Sequence, residues 1–322
     1  MRALVQDAYG GPEVLHVAEI PTPTPGPQDV LVEVRAASIN EWDDGLMRGA
    51  PIINRSGGLR RPRRRTLGSD VAGVVAAVGS AVTRFRPGDE VFGDLSGCGF
   101  GAFAEFARAP ESALAHKPSV LTWEQAAAVP QAGGLAVAGL RCAGPLRVGQ
   151  RVLLNGAGGG AGTFAVQIAR AAGAEVTAVD GPGKLDLLRR LGADHVLDYT
   201  TTDFTRTGEQ YDLILDVVCR RSVADYRRAL RPGGTCGVVG GSTGRLIGAF
   251  ALGPMLRLSG GRRVRLVVYR ANLPDDVALL VRLHREGSVV PVIDRTFPLA
   301  DAAGAMRHYG TGGFRGKIVL TM

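Results

Sequence analysis

Short apolar and β-branched runs, broken by turn-forming residues, fill the first third of the chain. Arg2–Gln6, Val14–Ile20, Val30–Ala36, Val71–Val78, Glu90–Phe92 and Ala102–Ala107 each read as strands. A stiff proline-rich connector lies between Pro21 and Pro27, and Pro87, Gly88 and Asp89 form a turn signal. Strands this short and closely spaced predict a barrel-like β domain. Near Thr122 the period lengthens. Thr122 with Gln125 three residues later is a helix N-cap whose partner can bond back, and a small-residue helix is expected to run to about Cys142. From Arg151 onward, apolar strands alternate with helices. The strands are Val152–Leu154, Glu175–Val179, His195–Leu197, Tyr211–Val218, Thr235–Val239 and Val264–Val268; the helices are Thr163–Ala172, Lys184–Leu191 and Ser222–Leu230. That alternation predicts a doubly wound parallel sheet. After a helix near residues 274–286, the runs Val289–Ile293 and Lys317–Thr321 turn β-like again, so the tail is expected to rejoin the first domain. The expected fold is α/β: a discontinuous β-barrel domain of residues 1–122 and 273–322, and a Rossmann dinucleotide-binding domain of residues 123–272.

Composition narrows the class. Apolar residues make up 45% and charged residues 21%, which excludes a disordered or fibrous chain. Glycine supplies 46 of 322 residues without a Gly-X-Y period, so collagen is excluded. Cys98, Cys142, Cys219 and Cys236 are widely spaced, which argues against a disulfide framework or a cysteine-rich zinc lobe and fits a reducing compartment. Residues 1–10 lack the apolar centre of a leader peptide. The apolar stretch Ala126–Leu140 is interrupted by Pro130, Gln131 and glycines and is too short to span a bilayer, so a cytoplasmic protein with no membrane partner is expected. The net charge of +8 fits an anionic ligand or a simple arginine bias. No aromatic residues interleave the arginine run Arg60–Arg65, so it reads as a solvated loop and nucleic acid is not an expected partner.

The strongest chemical signal is the run from Asn155 to Gly162. It leaves an apolar strand and opens a helix, the context a dinucleotide fingerprint requires. Diphosphate oxygens need backbone N–H groups at close range, and a Cβ would hold them off. Gly156, Ala157, Gly159, Gly160, Ala161 and Gly162 are the expected cradle, with Gly159 at the turn and Gly162 at the helix–strand contact. Asp180 ends the next strand, where a carboxylate can bind ribose hydroxyls, and this tilts the cofactor toward NADH. Lys184, with Arg189 and Arg190, lies just downstream and can approach a 2′-phosphate, so NADPH stays open.

With these residues in place, the whole chain resembles the medium-chain dehydrogenase/reductase superfamily, and within it the zinc-independent quinone oxidoreductase (zeta-crystallin-like) branch. The resemblance rests on Tyr9–Leu15, Ala37–Asp43, Leu67–Val75, Pro87–Gly93, the glycine cradle, Leu191–Asp198 and Arg315–Leu320, in family order. It implies a chaperonin-10-like (GroES-like) β domain beside the Rossmann domain. It further implies an NADPH or NADH cofactor, a quinone or α,β-unsaturated carbonyl substrate, and a homodimer joined through the strand at Val264–Val268. Zinc-dependent relatives carry Cys three residues before an acidic residue and, later, Gly-His-Glu. Here those places hold Asn40 before Asp43, and Gly68, Ser69 and Asp70, so no metal is expected.

The resemblance places Asn40 and Asp43 near the nicotinamide, Asn40 as an amide donor and Asp43 as a proton relay. The alternative is that both cap the short helix Glu41–Arg48. Tyr9 is a further candidate donor. Gly240, Gly241 and Ser242 end a sheet strand close to the cofactor, and Lys317 matches a cofactor-proximal position. Trp42 and Leu135 are assigned to the substrate pocket, and Leu135 stands where related sequences usually carry Thr. Two rival readings remain: a ketone reductase or alcohol dehydrogenase, and a non-catalytic dinucleotide-binding or RNA-associated protein.

Overall fold

The computed structural model describes residues 1–55, 58–240 and 260–322. These residues fall into two compact units, the first made of Met1–Gln131, Ala271–Arg285 and Pro291–Met322, the second of Ala132–Arg270 and Glu286–Val290.

In the first unit, β1 (Arg2–Gln6) and β2 (Leu15–Glu19) form an antiparallel hairpin. The main sheet runs β14 (Ile293–Pro298), β15 (Lys317–Thr321), β3 (Asp29–Ser38), β4 (Asp70–Val78), β5 (Glu90–Asp94), β7 (Leu114–His116), and β6 (Phe106–Pro110) adds to β3. The chain's last strand pairs antiparallel with β3, Leu320 opposite Ala37, which is how the tail rejoins the N-terminal part. Val30, Val32 and Val34 of β3 point into a core shared with Phe103, Met306 and Leu320. The helix Ala302–Gly310 has no counterpart in the periodicity reading; it buries Ala302, Ala305 and Met306 at helical spacing.

Three local expectations shift. The strand expected over Ala102–Ala107 begins at Phe106, and ahead of it Ala104 makes only an isolated bridge to Ala3. The expected strand Val289–Ile293 instead begins at Ile293. The single helix expected after Thr122 is two, α2 (Trp123–Ala128) and α3 (Pro130–Arg141), since Pro130 has no N–H to continue the ladder. Helix α2 packs on β3 and β4 and keeps its residues with the first unit.

Among the described residues, the second unit is built on six parallel strands in the order β10 (His195–Asp198), β9 (Glu175–Asp180), β8 (Arg151–Asn155), β11 (Tyr211–Asp216), β12 (Leu230–Val238), β13 (Arg263–Leu266). By position in the chain this is the 3-2-1-4-5-6 order of a doubly wound sheet, and its direction of winding reverses between β8 and β11. Leu153, Val179, Ile214 and Tyr226 are fully buried in its core. Helix α4 (Gly160–Ala171) follows β8 directly.

Candidate functional site

In the second unit, the site begins at the carboxyl end of β8, beside the reversal point. Gly156 has φ +80°, and a Cβ there would stand 2.5 Å from Val217 Cγ2, so only glycine makes this turn. A Cβ on Gly162 would lie 2.3 Å from the Gly156 carbonyl oxygen; its absence lets α4 press on the loop backbone. Gly159 differs. It is the N-cap of α4 with an extended backbone, and a Cβ there meets only the Gly156 oxygen, at 3.6 Å. The space in front of it is open.

The loop's own hydrogen bonds decide which amides remain for a ligand. The N–H groups of Gly156 and Ala157 both donate to Val179 O on β9, at 3.0 and 3.1 Å, and Gly158 N–H donates to Asp180 Oδ2 at 2.7 Å. Among the described residues, Gly160, Ala161 and Gly162 are left with unpaired N–H groups at the first turn of the helix. Those three donors and the helix dipole, about half a positive charge, are suited to an anion. The glycine cradle therefore fits the diphosphate of a nicotinamide dinucleotide. Asp180 is buried; its second oxygen accepts from Gly181 N at 2.8 Å, and Lys184 Nζ stands 3.6 Å away. Gly240 follows β12 with φ +70°, whereas Gly241 and Ser242 lie outside the described residues. Leu135 is half-buried on α3.

The first unit holds a buried polar cluster where three neighbouring strands meet. Lys317 opens β15, Ser38 ends β3, Asp70 opens β4, and Asn40 follows β3. The Lys317 ammonium donates to Ile39 O at 2.9 Å and to Asn40 Oδ1, and lies 3.5 Å from Asp70 Oδ2. Asn40 Nδ2 donates to Ser69 Oγ at 2.9 Å and to Asp70 Oδ2 at 2.8 Å. Ser38 Oγ and Gln131 N also donate to Asp70, at 2.8 and 3.0 Å. Asp43 accepts from Asn40 N at 2.9 Å and from Gly68 N at 3.0 Å. So Asp43 reaches back to cap α1 (Glu41–Arg48), while the Asn40 side chain turns into the cluster. Lys317, expected beside the cofactor, is turned inward and only 3% exposed.

Burial dominates the electrostatics here. It pushes the Asp43 carboxyl up to about 7, helped by Asp70 and opposed by the two backbone N–H donors and Lys317. It also raises Asp70, against the pull of Lys317. Burial lowers the Lys317 ammonium, while the carboxylates of Asp70 and Asp43 hold it up.

Sequence reasoning noted Ser69 and Asp70 only as replacements for zinc ligands and missed Ser38 and Gln131. The available signal was polar residues set at the ends of apolar strands. A zinc ion does not fit this donor set. An amide and a hydroxyl stand where thiolate and imidazole would be needed, and an ammonium already lies among them. Among the described residues, no group of three or more His, Cys, Asp or Glu side chains is placed to hold a metal.

Tyr9 lines a separate opening in the same unit. Tyr9 donates its phenol proton to Gly58 O at 2.6 Å, and the Arg55 guanidinium sits 5.0 Å over its ring. Trp42, on α1, is 51% exposed, with its ring centroid 6.4 Å from that of Phe100.

A parallel sheet wound in this order, with a glycine-rich turn into a helix at its reversal point, is the architecture of a dinucleotide-binding domain. Residues 26–119 match the alcohol dehydrogenase GroES-like domain family, and residues 191–320 match a family described as zinc-binding dehydrogenase. The chain is 33% identical to the mitochondrial NAD(P)H oxidoreductase RTN4IP1 of Mus musculus, covering 100% of this chain and 89% of that protein. It is 31% identical to 2-methylene-furan-3-one reductase of Solanum lycopersicum, covering 99% of this chain and 79% of that protein. The solved quinone oxidoreductase of Coxiella burnetii superposes with a TM-score of 0.89 at 27% identity, covering 100% of this chain and 99% of the other. The chain belongs to the medium-chain dehydrogenase/reductase superfamily, in its quinone oxidoreductase branch. It is an oxidoreductase that uses a nicotinamide cofactor. Among the described residues, no helix is long and apolar enough to cross a membrane.

Proposed function

We propose that this chain is a metal-free reductase that uses NAD(P)H to reduce a quinone or an α,β-unsaturated carbonyl. The observation that carries the reading is the Lys317 ammonium lodged between Asn40 and Asp70, a covalently attached cation that offsets the buried carboxylates. Oxidising a plain alcohol calls for a strong base or a metal to stabilise an alkoxide. A conjugated acceptor asks less, because its π system spreads the incoming negative charge. The quinone and enone activities named for the relatives support the same choice.

The bound nicotinamide supplies the hydride, and the protein supplies binding and orientation. The amides of Gly160, Ala161 and Gly162 grip the diphosphate. Asp180 stands at the end of β9 where a ribose is expected, and its carboxylate favours the free hydroxyls of NADH over a 2′-phosphate carrying about −1.5 to −2 charges. Lys184 at 3.6 Å softens that preference. Asn40 spends both amide hydrogens on Ser69 and Asp70, and Asp43 spends both oxygens on backbone N–H groups. Their part is to hold a rigid polar floor, with Tyr9 and Trp42 beside the acceptor.

The test is a turnover assay. The purified chain should oxidise NADH when 1,4-naphthoquinone or methyl vinyl ketone is added, with a higher kcat/KM than for NADPH. Activity should survive dialysis against 1,10-phenanthroline. Silence with both acceptors, or loss of turnover on chelation, overturns the reading.

A further inference from the structure

We infer that the loop tip carrying Ile52, Ile53 and Leu59, with Arg60, Arg61 and Arg63 beside it, docks on the surface of an anionic phospholipid bilayer. This role is separate from the redox chemistry and would hold for a chain that reduced nothing.

Three aliphatic side chains close in sequence stand mostly in water: Ile52 is 75% exposed, Ile53 73% and Leu59 71%. Single exposed aliphatics are ordinary, whereas a group of them marks a contact surface. Local hydrogen bonds hold these three on one projection. Ile52–Arg55 forms a 3-10 turn, and Asn54 Nδ2 ties it to Ala50 O at 2.8 Å. Arg55 Nε donates to Gly49 O at 2.9 Å, and its guanidinium lies over the Tyr9 ring. Gly58 N–H donates to Arg55 O at 2.8 Å, and Gly58 O accepts the Tyr9 phenol proton. Both limbs of the loop are thus pinned at Tyr9, and Ile53 and Leu59 lie on either side of that pin.

The charge around the tip has one sign. From Gly45 to Ser69 the chain carries seven arginines and no acidic residue. Arg48 is engaged by Asp44 and Arg65 by Asp7, both at 2.8 Å. Arg60, Arg61 and Arg63 are exposed, and among the described residues they pair with no carboxylate. A merely solvated loop accounts for these arginines and leaves the isoleucines unexplained. Aliphatic side chains flanked by guanidiniums complement a bilayer interface, where the first enter the acyl boundary and the second meet headgroup phosphates. A second copy of the same tip would bring like charges together. Nucleic acid would leave the isoleucines in water, with no aromatic ring among them to stack on bases. The lack of a spanning helix bears on crossing a bilayer; lying on its surface needs only a short exposed element.

The experiment is sedimentation of the full chain with vesicles of phosphatidylcholine alone, and of phosphatidylcholine mixed with an equal part of phosphatidylglycerol. The chain should partition at least about tenfold more strongly onto the mixed vesicles. Arg60→Gln/Arg61→Gln/Arg63→Gln should lower that partition about a hundredfold, since each arginine at the surface is worth about fivefold. A net charge of +8 draws the chain to any anionic surface, so the same charge is removed elsewhere as a control. Arg86→Gln/Arg108→Gln/Arg206→Gln, at exposed positions away from the loop, should stay within about threefold of the unmodified chain. Ile52→Ser/Ile53→Ser leaves the charge unchanged and should weaken binding about tenfold, with its melting temperature kept because both side chains are already in water. No preference for the mixed vesicles, equal losses in the two arginine triples, or indifference to the isoleucine change overturns the docking surface. Self-association of the unmodified chain that the isoleucine change abolishes would assign the tip to a second copy and overturn it too. So would tighter binding to polyuridylate than to the mixed vesicles.

Discussion

Lys317 shows most clearly how a single side chain acquires its role. The family resemblance matches it to a position near the cofactor. The β15–β3–β4 pairing carries its ammonium to Asn40 and Asp70. Breaking a buried pair of this kind by removing one partner costs about 3–5 kcal/mol, because the remaining charge stays desolvated. Lys317→Met should therefore lower the urea midpoint substantially at pH 7.5. The pH dependence follows from the carboxyls. Asp43 is pushed up to about 7 in the folded chain, above its ordinary value of 3.8, so the folded state holds more protons than the unfolded state between roughly pH 4 and 7. Stability from this group is thus greatest at the acid end and falls as pH rises through that window. Without the ammonium the carboxyls rise further and the fall is steeper, so the deficit of Lys317→Met should be smaller at pH 5 than at pH 7.5. A deficit that does not change with pH would show that the ammonium and the carboxyls are not coupled.

Helix α4 and the loop before it were the most legible parts of the chain. Strand, glycine-rich turn and helix follow one another within a few residues, so nothing distant is needed to recognise them. Gly159 and Gly162 were expected at the turn and at the helix–strand contact, and a Cβ at the first would meet only the Gly156 oxygen, at 3.6 Å, whereas at the second it would meet backbone 2.3 Å away. Gly159→Val should keep its melting temperature and lose dinucleotide affinity. Gly162→Ala should destabilise the chain by about 1–3 kcal/mol, because the helix must be pushed off the loop. Calorimetric titration with NADH alongside thermal melts distinguishes the two. Equal behaviour of the variants would mean that the open space before Gly159 is not the diphosphate site. The helix after Asn40 was equally local in origin, yet the Asn40 side chain left its capping role for Ser69 and Asp70, partners 29 and 30 residues away.

For the whole molecule, the alternation of strands and helices foretold the parallel sheet, and β-like runs at both ends foretold a tail that rejoins the N-terminal part. We expect a homodimer joined along the strand β13, which among the described residues ends its sheet and leaves Leu266 51% exposed. Light scattering should give twice the monomer mass, and Leu266→Arg should halve it. A monomer in the unmodified protein refutes this arrangement.

Contiguous residues were enough to dictate the strands, the cradle and the helix caps, because periodicity and turn chemistry act over a few positions. The inward turn of Lys317 and the buried carboxylates at their raised affinities for protons required the folded chain. Each depends on residues tens to hundreds of positions apart sharing one water-poor space, and burial of that kind leaves no mark on local pattern.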